Sequence, residues 1–150
     1  MKRLLPKDAQ ILGTHPLFGP QSGKNGIDSL QIVLCPERIS DKNYREIKSI
    51  FKNMKLDIKE TSAKKHDEVM AYTQSLTHFF SRAAAHIIPF EDFAFTTPSA
   101  KRLKDIIFEV KDDSEQLFLD MQALNPYAAK TRKKFLKELN KLDDKICRRK

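Results

Sequence analysis

Three places along the chain carry side chains able to exchange protons or hold anions. His15 stands in the stretch Leu12-Gly13-Thr14-His15-Pro16-Leu17-Phe18-Gly19-Pro20-Gln21-Ser22-Gly23-Lys24-Asn25-Gly26, which contains all four glycines of the protein. Glycine admits positive φ and close approach to a ligand, while proline fixes φ and removes a donor, so this is a shaped loop built around one histidine. An imidazole changes charge near neutral pH and serves as a general acid or base. A loop histidine also serves simply to satisfy backbone groups, and the residues alone leave both readings open. The second place is a run at steps of four, His66, Met70, Gln74 and His78. Each step advances about 40° around an α-helix, so the four form a slowly winding ridge. Two histidines and an amide on one ridge suit recognition of carboxylates and hydroxyls; capped or core histidines are the plainer alternative. The two histidines lack the i,i+4 spacing of a zinc helix, and no metal site is read from the chain. The third place is Lys101-Arg102, either an anion clamp or a solvated surface pair.

Positioning these residues takes strands first and helices after. Ala9–Thr14 reads as a short strand entering the glycine loop, and Leu30–Cys35 as an apolar, β-branched strand stopped by Pro36. Ser40 or Asp41 caps a helix with Tyr44, Ile47, Ile50, Phe51 and Met54 on one side, and Leu56–Thr61 alternates as a further strand. Strand, loop, strand, helix, strand is part of an α/β sheet. It lacks the strand, GxGxxG and helix that open a dinucleotide-binding unit.

Beyond Thr61 the pattern is helical. Ser62 caps a long helix from about Ala63 to Ile88, with an apolar stripe of Val69, Tyr72, Leu76, Phe79, Phe80, Ala83 and Ile87. His86, near its apolar end, reads as structural. Pro89–Thr97 is a phenylalanine-rich connection, and Thr97 caps a helix with Pro98 at its first position. Asp112, Asp113 and Ser114 read as a break and re-cap, and Pro126 as the entry to a last helix bearing Phe135, Leu139, Leu142 and Ile146. Glycine-free helices with this much apolar surface bury it against one another or a second chain, which points to a dimerisation half.

Bulk properties narrow the classes. A chain of 150 residues is long enough for a core without disulfides or metal. Cys35 and Cys147 stand in no ligand spacing, so a reducing, cytoplasmic compartment is expected. No apolar run reaches the roughly 18–20 residues of a membrane span, and the basic start lacks the apolar region of a secretory signal. Net charge is +8, but the last 24 residues hold ten Lys/Arg against three Asp/Glu, which accounts for +7 of it. That is a solvated helix face with a basic tail, without the interleaved aromatics of a nucleic-acid surface. No GxSxG elbow, cysteine–histidine signature, phosphate loop or paired carboxylates occur.

The run Gly13-Thr14-His15-Pro16-Leu17-Phe18-Gly19-Pro20-Gln21-Ser22-Gly23-Lys24-Asn25-Gly26 closely resembles the GTHPMFGPxSGKNG signature of prephenate and arogenate dehydrogenases. His66-Asp67 followed by Gln74-Ser75-Leu76-Thr77-His78 resembles that family's HD…Q-x-L-T-H helix, and Thr97-Pro98 and Asp113-Ser114 to Asn125 resemble its later helices. The resemblance runs over roughly residues 4–145. It implies an α+β chain: a C-terminal remnant of a Rossmann-like sheet over residues 1–61, followed by an all-α substrate-binding and dimerisation domain over residues 62–150. It also implies an NAD(P)-dependent oxidative decarboxylation in tyrosine biosynthesis. In that scheme His15 takes the proton of the substrate's ring hydroxyl. His78, Gln74, His66, Thr14, Ser22, Gly23, Lys101 and Arg102 contact prephenate or arogenate, and Pro16, Gly19 and Pro20 face the cofactor. The helical half builds a homodimer.

The family's GxGxxG half precedes this signature, and only fourteen residues stand before His15 here. The resemblance therefore implies a nucleotide-binding half on another chain or removed by truncation, and no turnover by this chain alone. The alternative is a non-catalytic module that binds prephenate, arogenate or tyrosine without responding to NAD.

Overall fold

Residues 32–35, Ile-Val-Leu-Cys, are apolar on both faces, as the middle strand of a covered sheet should be. In the computed structural model, which describes residues 4–89, 93–111 and 113–149, they form the central strand of three. The chain divides into two units, residues 1–66 and residues 67–150.

The first unit holds β1 (Ile11–Pro16), a single turn α1 (Pro20–Gly23), β2 (Gln31–Arg38), α2 (Asp41–Asn53) and β3 (Asp57–Glu60). The sheet order is β1-β2-β3, with β1 antiparallel and β3 parallel to β2. Ile32 and Leu34 point to one face and bury against Leu56, with Phe18, Ile27, Tyr44 and Phe51 packed around them. Ser40 caps α2 by accepting a hydrogen bond from Asn43 N at 3.3 Å. α2 ends in a Schellman motif: Lys55 N donates to Lys52 O at 2.8 Å and Leu56 N to Phe51 O at 3.2 Å. Lys55, at φ 56°, occupies the seat usually given to glycine. Tyr44 and Lys48 of α2 both donate to Glu60 of β3.

Two strand expectations are corrected. β1 runs to Pro16, so His15 lies inside the strand, paired with Val33, and not in the loop beyond it. Pro36 does not stop β2, which continues to Arg38. β3 ends opposite Leu34, so at Pro36 only β1 is alongside, and the register shifts just beyond it: Leu12 pairs with Pro36 but Ile11 with Arg38, which makes Glu37 of β2 the extra, bulged residue. A bulge on a one-sided stretch is where a missing N–H costs least.

The helices are α3 (Ala63–Met70), which starts in the first unit, then α4 (Thr77–Ala85), α5 (Pro98–Val110), α6 (Glu115–Leu124) and α7 (Ala128–Cys147). Between α3 and α4, Ala71–Leu76 form a π-helical turn in place of the uninterrupted α-helix expected to Ile88. Ser62, Thr97 and Ser114 cap as anticipated, their hydroxyls accepting from Lys65 N, Ala100 N and Leu117 N. In the second unit Ala84 and Ile107 bury together beside Leu103 and Ile88. The anticipated stripe is corrected: Val69, Tyr72, Phe80 and Ile87 are exposed, while Met70, Ala71, Ser75, Ser81 and Ala84 are buried. The π turn re-phases the helix. Asp112 of the anticipated re-cap, residues 90–92 of the connection and the basic start at residues 1–3 lie outside the described residues.

Candidate functional site

The first unit assembles its part from β1, α1 and the first turn of α3. His15 leaves β1 one residue before the strand ends, and Leu17 N still donates to Gln31 O at 2.9 Å, so the histidine backbone is held by the ladder on both sides. His15 Nδ1 lies 2.9 Å from His66 Nε2, with the rings edge to face at 5.1 Å between centroids. Burial first, and the neighbouring His66 second, lower the proton affinity of His15 below the ordinary 6.5. A half-buried imidazole in this state is neutral at pH 7 and ready to accept a proton.

Directly after His15 the chain forms an open hollow of about 400 Å³, lined by Pro16, Phe18, Gly19, Pro20, Gly23 and Ile27. Its wall is apolar. Ser22 closes the turn at its rim: its hydroxyl accepts from Gly19 N at 3.0 Å and donates to Gly19 O at 3.3 Å. A Cβ built on Gly19 would meet nothing within 4 Å, so that edge is open to a ligand. Gly26 has φ 114°, which side-chain-bearing residues rarely adopt. Thr14 is exposed and paired with Leu34 in the sheet.

The second unit builds around His78. Its Nδ1 lies 3.2 Å from Asp113 Oδ2. An ionised carboxylate only accepts, so Nδ1 carries the hydrogen and Nε2 is left as an acceptor. Burial, the largest cause, and Arg82 lower the proton affinity of His78, against an opposing pull from Asp113. Arg82 donates to the Glu115 carboxylate and the Asp113 carbonyl and lies 4.6 Å over the Phe118 ring. Asp113, expected as part of a cap, is therefore the carboxylate facing His78, and Ser114 is the cap. Gln74 sits half-buried in the π turn. Lys101 and Arg102 are exposed in the first turns of α5. Arg82 was missed, although it is the next step of four after His78.

The π turn is tied down by α6 and α7. Ser75 Oγ donates to Met121 O at 3.1 Å, and buried Gln122 donates from Nε2 to Ser75 O at 2.7 Å. Arg132 of α7 then donates to Gln122 Oε1 at 2.6 Å. Among the described residues no cluster of three His, Cys, Asp or Glu is placed to hold a metal, and no helix is long and apolar enough to cross a membrane.

Arogenate dehydrogenase 2, chloroplastic, of Arabidopsis thaliana is 33% identical over 94% of this chain, which spans 38% of that relative. Arogenate dehydrogenase 1, chloroplastic, of the same organism is 31% identical over 87% of this chain, which spans 21% of it. The fold is similar to that of the A. aeolicus prephenate dehydrogenase crystallised with hydroxyphenyl propionate and NAD+, at a TM-score of 0.67 and 21% identity, covering 91% of this chain and 51% of that one. It is likewise similar to Synechocystis arogenate dehydrogenase, at a TM-score of 0.67 and 17% identity, covering 99% of this chain and 56% of that one. Residues 62–150 match the family model "Prephenate dehydrogenase, dimerization domain". The chain, a mixed α+β polypeptide, belongs to the prephenate dehydrogenase family.

Proposed function

We propose that this chain is the substrate-binding and dimer-forming part of a cytoplasmic prephenate or arogenate dehydrogenase, with residues 1–61 as the end of its α/β part and residues 62–150 as its helical domain. The observation that carries the reading is His15: a neutral, half-buried imidazole tied at Nδ1 to His66 and followed at once by an apolar hollow. As proton acceptor, it takes the proton of the substrate's ring hydroxyl as hydride leaves the same carbon. It keeps that proton until loss of carbon dioxide sends an electron pair through the ring to the oxygen, which takes the proton back. The ring is then aromatic. A general base of this kind contributes on the order of 10²–10⁴-fold.

His78 is the contact in the second unit. Its Nε2 accepts a hydrogen bond, with Asp113 fixing the ring and Arg82 fixing Asp113. We assign Gln74, Thr14, Gly23 and Ser22 to the substrate's surroundings, and Lys101 and Arg102 to its carboxylates.

The residues present fit one end of a nicotinamide dinucleotide. Pro16, Gly19 and Pro20 offer an apolar wall with an open edge, suited to a planar ring. When bound, the nicotinamide supplies hydride acceptance. All four glycines lie within residues 13–26, so the chain has no glycine loop for the pyrophosphate, which we assign to a nucleotide-binding half outside this sequence. The exposed Leu136, Leu139, Leu142 and Ile146 of α7 support a homodimer through the helical domain.

The test is calorimetry of the purified chain with prephenate and with arogenate, followed by NAD(P)H formation once a family nucleotide-binding half is added. Binding by the chain alone is expected, with turnover only in the combined sample and its loss in His15→Asn. Failure to bind either compound would overturn the reading. Binding that never leads to turnover would favour the non-catalytic module.

A further inference from the structure

His15 and His66 are 2.9 Å apart through Nδ1 of the first and Nε2 of the second. At that separation one ring donates a hydrogen and the other accepts with a lone pair. Were His66 the donor, His15 would keep its remaining hydrogen on Nε2. Its other face would then be a donor, unable to accept a hydroxyl proton. With His15 as donor from Nδ1, Nε2 bears the lone pair and is a base. We propose that His66 is the positioning residue of His15, accepting its Nδ1–H and so holding it in the tautomer with a basic Nε2. The proposal rests on the reading of His15 as proton acceptor, and it moves His66 from substrate contact to support.

Both partners are mounted on regular backbone. His15 is in the β1–β2 ladder opposite Val33. His66 is in the first turn of α3, where its own N donates to Ser62 O at 2.9 Å and Ser62 caps the helix. A flip of either ring breaks the bond between them. The arrangement also suits a base that holds its proton only briefly. Protonation at Nε2 leaves the Nδ1–H bond in place and makes it charge-assisted.

The test is a long-range ¹⁵N–¹H correlation spectrum of the labelled 150-residue chain at neutral pH, which distinguishes the two tautomers of each histidine. His15 is expected with hydrogen on Nδ1 and a bare Nε2. In His66→Gln the amide oxygen can accept the same hydrogen, so the His15 tautomer is retained. In His66→Leu no acceptor remains, and the major form shifts to Nε2–H, which unconstrained imidazole side chains favour. A wild-type His15 with hydrogen on Nε2 would overturn the proposal, and this result needs no variant to fold. An unchanged His15 tautomer in a folded His66→Leu chain would also overturn it. Prephenate and then arogenate, titrated into the same wild-type sample, separate the two readings, with no binding meaning that neither binds. The expected tautomer without binding sinks the proposed function and leaves the hold of His66 on His15 intact, whereas binding with the opposite tautomer sinks the role of His66 alone.

Discussion

Gln122→Leu should loosen the helical unit by a calculable amount. Gln122 is 8% exposed and joins three elements, donating to Ser75 O in the π turn at 2.7 Å and accepting from Arg132 Nη1 of α7 at 2.6 Å. A neutral side-chain hydrogen bond contributes about 1 kcal/mol net and one to a charged donor about 2. Leucine returns about 1 kcal/mol through its apolar surface, so the net loss is about 2 kcal/mol. For a chain of 150 residues that lowers Tm by roughly 4–8 °C. Urea unfolding followed by circular dichroism gives the free energy, and a thermal scan gives the midpoint. Gln122→Glu separates the two bonds, since a carboxylate still accepts from Arg132 but has nothing to donate to Ser75. It should retain the Arg132 contribution and lose the other. A Gln122→Leu chain as stable as the original would refute the reasoning: the network would then add nothing beyond what leucine packing replaces.

Other outcomes follow from single features. Gly26→Ala, at φ 114°, should cost about 1–3 kcal/mol in unfolding experiments. Gly19→Ala, with open space around its Cβ, should be close to neutral; equal losses at the two positions would deny that backbone strain is the cause. His15 and His78 both bind protons less readily than the ordinary 6.5. The unfolded chain therefore takes up protons first on acidification, so stability is greatest above pH 6.5 and falls as pH drops below it through the lowered folded-state values. His78→Gln should flatten that decline, and stability that is level or rising on acidification would contradict it. Leu139→Glu with Leu142→Glu, on the exposed face of α7, should abolish self-association in sedimentation while leaving the helical signal intact; unchanged sedimentation would place the interface elsewhere.

Much of the fold is legible because its signals are local. Ser62, Thr97 and Ser114 each precede a periodic apolar run, and each hydroxyl accepts from the expected backbone amide. The alternation at Ile32 and Leu34 marks the strand they occupy. What was misread depends on distant partners. Pro36 looks like a terminator until the register shift against β1 shows β2 bulging at the next residue. Lys55 takes a left-handed conformation that nothing in its neighbours announces. The π turn is invisible to a 3.6-residue periodicity, because Gln122, some 47 positions away, holds it. The site divides the same way. His15, His66 and His78 stand out by residue type. The carboxylate that orients His78 resembles an ordinary helix cap until the fold brings it to 3.2 Å.

The placement of His15 inside β1 has a consequence for motion. Amide hydrogens of a ladder flanking fully buried Leu34 exchange with solvent only when the sheet itself opens, an event close to global unfolding. The turn that forms the hollow is closed by Gly23 N to Gly19 O and Gly26 N to Gly23 O, bonds that far smaller openings release. The His15 backbone should thus exchange more slowly than the turn that lines the hollow, a difference that amide hydrogen exchange would read.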